Sequence, residues 1–134
     1  MTIRPFLTFC LITFSTLSNA SILNGAWELQ SGEYIDAEGK LVSYQQTNMQ
    51  SIKLISDHYF SFTSTKGDQF WASATGRFEF KDGRYTETLL LNSFAEKVGA
   101  QFSFQAKVEG DYWYNSRWQD GKRVEYEVWK RMDE

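Results

Sequence analysis

The chain has 134 residues, 17% of them aromatic and 23% charged, with 14 Lys and Arg against 17 Asp and Glu and a single His. At this length one domain is expected. The charges are dispersed and slightly acidic, which argues against non-specific nucleic-acid binding, since that depends on clustered Lys and Arg.

The first segment in chain order reads as a leader. Arg4 precedes an apolar run over residues 6–17, and Ser18-Asn19-Ala20 sets small residues where a signal peptidase reads. This pattern predicts a secretory signal, residues 1–20, cleaved after Ala20, and a mature domain, residues 21–134, in the periplasm or outside the cell. The run is shorter than the roughly 20 apolar residues that a spanning helix needs, so no stable membrane span is expected after cleavage. Bulky Phe9 before Cys10 argues against lipid attachment. The one Cys (Cys10) and the one Pro (Pro5) lie in this segment, while all five Trp lie beyond it. The mature chain therefore has no disulfide and must be held together by burial of a large core.

After the leader the chain alternates short strand-like runs with turn signals. Strands are predicted over residues 25–35, 41–46, 50–56, 59–64, 69–81, 84–91, 101–108, 112–119 and 122–132. The turns are Glu38-Gly39-Lys40, Asp57-His58, Lys66-Gly67-Asp68, Asp82-Gly83, Glu109-Gly110-Asp111 and Asp120-Gly121. Asp-Gly between alternating runs is a strong hairpin signal, because its type I′ turn needs positive φ. Phe60 and Phe62 share a face, as do Phe78 and Phe80, and so do Phe102, Phe104, Ala106 and Val108. Gly76 suggests a bulge or corner inside its strand. Residues 93–100 have room for one helical turn. Eight or nine strands joined by tight turns favour an antiparallel meander. Closing that meander removes both sheet edges, so the expected fold is all-β: one antiparallel up-and-down barrel.

At the head of the first strand, Gly25-Ala26-Trp27 resembles the G-x-W signature of lipocalins and their calycin relatives. The likeness continues through Ser51-Ile52-Lys53-Leu54-Ile55, Asp57-His58-Tyr59-Phe60 and Asp82-Gly83-Arg84-Tyr85-Thr86-Glu87 to Glu127-Val128-Trp129-Lys130-Arg131. As a whole it is similar to the lipocalin-like domains of small secreted bacterial proteins. The resemblance implies a barrel whose Trp27 plugs the closed end, with a basic side chain packed across it. Arg131 is the best match for that partner, and Arg123 and Lys130 are the alternatives. The chain departs from fatty-acid-binding proteins: residues 36–48 are too short for a helical lid, and Arg123-Val124-Glu125-Tyr126 has the wrong spacing for their Arg-x-Tyr carboxylate site.

Candidate ligand-facing residues are His58, Tyr85, Glu87, Tyr114, Arg117, Trp118 and Tyr126, and each has a plain structural alternative. His58 sits at a turn and suits a surface role as well as a ligand contact. Tyr85 and Glu87 share one face of their strand. If that face is inward, Glu87 needs a partner such as Arg77, Arg117 or Arg123. On the 112–119 strand, Trp113, Asn115 and Arg117 face one way and Tyr112, Tyr114, Ser116 and Trp118 the other, and polar-tipped aromatics line pockets and fill cores alike. A lone His without Cys cannot build a His-rich metal site. No nucleophile elbow or phosphate loop is present, so no catalytic residue, metal or cofactor is expected.

Two functions fit. One is a binder of a small apolar or amphipathic ligand inside the barrel. The other is a protein-interaction or inhibitor module with a filled core and an outward cluster of Trp71, Trp113 or Trp129. A buried Glu87 beside His58 in a cleft would instead favour an enzyme.

Overall fold

The computed structural model describes residues 21–133; the leader segment expected over residues 1–20 lies outside them. The described chain is all β, with nine strands: β1 (Gly25–Ile35), β2 (Leu41–Ser43), β3 (Met49–Ser56), β4 (Tyr59–Lys66), β5 (Gln69–Lys81), β6 (Arg84–Asn92), β7 (Gln101–Glu109), β8 (Tyr112–Gln119) and β9 (Lys122–Arg131). Each pairs antiparallel with its neighbour, and β1 also pairs with β9, which closes an eight-stranded barrel. The ninth strand, β2, is a short hairpin partner of the far half of β1, over Glu33–Ile35. Closure leaves no free edge along the barrel wall.

The turns carry the backbone geometry expected from their sequences. Asp82-Gly83 has φ of 53° and 72°, and Asp120-Gly121 has 49° and 73°. Positive φ at both central residues is the type I′ condition, which matches the right-handed twist of the flanking strands. Gly76 lies at the register shift between β5 and β6. A Cβ there would collide with the Thr88 carbonyl oxygen and press on the Phe60 ring, so only glycine lets the two strands approach this closely.

Two segments differ from expectation. The strand predicted over residues 41–46 ends at Ser43, because the chain turns back at residues 44–48 to enter β3. Residues 93–100 form bends and a turn rather than a helical turn. Asn92 organises their start: its Oδ1 accepts from the N–H groups of Phe94 and Glu96, both at 3.0 Å, and its Nδ2 donates to the Glu96 carbonyl at 2.9 Å. This local bonding competes with helix formation.

The core fills one half of the barrel. Leu23, Trp27, Ile55, Phe60, Ala74, Tyr85, Leu89, Phe104, Trp113 and Trp129 are buried in it. Trp27 and Trp113 meet edge to face at 5.4 Å, and Tyr85 meets Trp113 likewise at 4.8 Å, arrangements that the ring quadrupoles favour. The Trp27 indole N–H donates to the Leu23 carbonyl at 2.7 Å. Arg131, paired across the barrel seam with Trp27, places its guanidinium 4.2 Å from the centre of the ring system. It also donates to the carbonyls of Asn24 and Ile22, at 2.7 and 2.8 Å. At Gly25 (φ 128°), a Cβ would come to 3.0 Å from this guanidinium. Gly25, Trp27 and Arg131 thus form one unit that closes this end and ties the first strand to the last.

Candidate functional site

The opposite half of the barrel is open. A cavity of about 440 Å³ enters there, within the general range of about 300–1,000 Å³ for small-molecule pockets. Its mouth is apolar, with Leu29, Ile35, Met49, Phe62, Trp71 and Phe94 among its lining. Phe94, from the β6–β7 loop, stacks on Phe62 at 6.4 Å. Deeper in, the lining turns polar and charged: Ser51, Lys53, Ser64, Glu87, Arg117, Glu125 and Glu127.

Pairing register explains why these charges point inward. The two-residue turn at Asp57-His58 sets Lys53 opposite Phe62 and Ile55 opposite Phe60. Residues directly opposite in an antiparallel pair share a face, so the inward phenylalanines of β4 carry Lys53 inward. Ile52 and Leu54 of β3 are left outside, half exposed. Likewise Asp82-Gly83 sets Tyr85 opposite Phe80 and Glu87 opposite Phe78. On β8 and β9, three inward pairs stack along the wall: Trp113 with Trp129, Asn115 with Glu127, and Arg117 with Glu125.

Lys53 and Glu87 are the most deeply buried charges, at 3% and 5% exposure. The ammonium donates to Glu87 Oε1 at 2.8 Å, and the Tyr85 hydroxyl donates to the same oxygen at 2.9 Å. The ammonium also sits 4.9–5.8 Å from the ring centres of Trp129, Trp113, Tyr85 and Phe62, a cage that favours a desolvated cation. Burial alone would lower the affinity of Lys53 for its proton. The carboxylates of Glu87 and Glu127 outweigh burial and hold the lysine above its ordinary range. Burial, then Glu87, pushes the Tyr85 phenol well above its ordinary range.

Glu125 lies nearer the mouth. It accepts from Arg117 Nε at 2.8 Å and from the Tyr44 hydroxyl at 3.3 Å. Burial, then repulsion from Glu127, raises its carboxyl to about 7, against the pull of Arg117. Burial, then the same two carboxylates, raises the Tyr44 phenol. Glu127 receives the Trp129 indole N–H at 2.8 Å and the Asn115 amide at 3.3 Å, both on Oε2. No group of three or more His, Cys, Asp or Glu side chains among the described residues is placed to hold a metal ion.

The residues singled out from sequence divide sharply. Glu87 and Arg117 line the cavity, and Tyr85 supports Glu87 from within the core. Tyr114, Trp118 and Tyr126 do not line it. Tyr114 belongs to the outward set of β8 with Tyr112, on which it stacks at 6.4 Å, while Trp118 is exposed. Tyr126 lies on the outer face beneath the Arg123 guanidinium, at 4.6 Å. A bulge places Tyr126 on this outer face. A regular hairpin about Asp120-Gly121 would set Tyr126 opposite Asn115, on the inner face. The structure has a register shift between Arg117 and Trp118, so that Trp118 pairs with Arg123 and Arg117 with Glu125. A one-residue slip exchanges the faces of a strand, and Glu125 and Glu127 turn inward in place of Tyr126. His58 is exposed at the β3–β4 turn, at the closed end, away from Glu87. The partner expected for Glu87 among Arg77, Arg117 and Arg123 is instead Lys53. Trp113 and Trp129 are buried and form no outward cluster with Trp71.

Comparison with protein-family models, with curated proteins and with solved structures finds no match to any of them.

Proposed function

We propose that this protein binds a small, partly apolar molecule in the open half of its barrel, as a lipocalin-like domain of the calycin type exported to the periplasm or beyond the cell. The observation that carries the reading is the cavity itself: about 440 Å³, apolar at the mouth and hydrogen-bonding below. An apolar wall with a few convergent polar groups is the usual make-up of a ligand pocket. Buried charges also cost stability that an apolar filling would not, so keeping five charged side chains on the lining is understandable if they serve a ligand. The calycin reading is supported by Gly25, Trp27 and Arg131 meeting at the closed end.

Native mass spectrometry of the gently purified protein, together with titration by the neutral fluorescent probe Nile red, tests this reading. The expected results are saturable 1:1 probe binding and an adduct that is lost on denaturation. No adduct and no probe binding would overturn it and favour a module that recognises a protein partner.

A further inference from the structure

Once Glu125 is ionised, above about pH 7, the five charged side chains on the cavity lining carry one excess negative charge. Lys53 is matched by Glu87 and Arg117 by Glu125, each at 2.8 Å. Glu127 is a third carboxylate, 8% exposed, and no salt bridge reaches it among the described residues. Its two hydrogen bonds come from neutral donors, and both go to Oε2. Beside it, behind the cavity lining, Asn115 is 1% exposed, and its Oδ1 has no hydrogen-bond partner among the described residues. The Asn115 Oδ1 is a buried acceptor without a donor, which is costly, while Glu127 keeps Oε1 free of any protein donor among the described residues.

Resting on the binding function above, we propose that the ligand is an amphipathic amine, whose ammonium pairs with Glu127 while its apolar part lies against the walls of the mouth. An ammonium supplies three donors and one positive charge, and so meets both the free carboxylate oxygen and the excess of negative charge. A carboxylate ligand is disfavoured. Lys53 is enclosed by Glu87 and four rings, and Arg117 is held by Glu125 with its guanidinium near Phe102. An anion would have to displace Glu125 while approaching three carboxylates.

The test is displacement of Nile red by decylamine, decanol and decanoate, three ligands with one apolar chain and different heads. The amine is expected to bind about tenfold more tightly than the alcohol, the difference between an ionic and a neutral hydrogen bond, and decanoate the least. In Glu127→Gln the amine should lose this advantage while the alcohol keeps its affinity. Glu127→Asp keeps the charge but withdraws it by one methylene, and should reduce the advantage without abolishing it. Equal binding of all three ligands, tighter binding of decanoate, or an amine preference unchanged in either variant would overturn the amine assignment and leave the binding function standing. Failure of Nile red and all three ligands to bind would overturn both.

Discussion

The two halves of this barrel are built from the same strands and differ in what fills them. At the closed end Trp27, Trp113, Tyr85 and Phe104 interlock, and Arg131 seals the seam against backbone carbonyls. At the open end the same strands carry Lys53, Glu87, Arg117, Glu125 and Glu127 around empty space. Along β8 and β9 the change happens within one pair: Trp113–Trp129 belongs to the core, and Asn115–Glu127 and Arg117–Glu125 to the charged wall. Dense packing specifies the fold in one half. The other half holds a polar network costly enough to call for a function.

The largest effects should separate the halves by mechanism. Trp27→Ala empties the closed end and should cost about 3–5 kcal/mol of stability. Lys53→Met should cost a similar amount, about 3–5 kcal/mol, because it leaves Glu87 buried without its cation. The halves then diverge: Lys53→Met combined with Glu87→Leu should regain most of the loss, since two apolar groups replace a costly ion pair. Urea unfolding of the single and double variants measures this. A double variant as unstable as the sum of its singles would show no coupling between the two side chains and would contradict the account of a costly ion pair.

A smaller effect depends on pH and belongs to the open half alone. Glu125 faces Arg117 from β8, Tyr44 from the segment before β3, Tyr34 from β1, Lys53 from β3 and Glu127 on its own strand. Its folded pKa of about 7 stands above its ordinary 4.5, so the folded state holds this proton more tightly than the unfolded state does. The associated stability is therefore complete at low pH and is lost as pH rises from about 4.5 to about 7, by about 2–3 kcal/mol. Unfolding midpoints at pH 5 and pH 8 should show this loss in the native sequence and much less of it in Glu125→Gln. An equal slope in both would show that Glu125 is ionised across the range.

Smaller still, Arg131→Gln should cost about 1–2 kcal/mol through its lost carbonyl and ring contacts, without changing Nile red affinity. Leu54→Thr, on the exposed outer face of β3, should stay within about 0.5 kcal/mol of the native sequence. A substantial loss there would mean that this face is covered.

The contrast between the halves also governs what could be read from sequence. The strands, the type I′ turns and the aromatic faces of β4, β5 and β7 were legible because turn chemistry and alternation agree there, while the closing trio was legible only through the resemblance to lipocalins. Lys53 was missed because alternation on β3 favours Ile52 and Leu54 as the buried pair. The register from Asp57-His58 opposite Phe60 and Phe62 was the signal that reverses this. Glu87 could be placed the same way through Phe78, although its partner came from a distant strand. Glu125 and Glu127 were hidden by the bulge at Val124, which no residue type announces. Where packing dominates, local pattern and tertiary structure coincide; where polar groups are held inward, tertiary pairing overrides the pattern.

The most direct test of the open half as the binding site is Nile red titration of three proteins: the native sequence, Ala72→Phe, which puts a ring into the cavity lining, and Arg131→Gln at the closed end. The expected result is tight 1:1 binding by the native sequence and by Arg131→Gln, and at least a tenfold loss in Ala72→Phe, or about 1.4 kcal/mol. Equal binding by all three folded proteins would place the probe outside the cavity and contradict the assignment of a binding function to the open half.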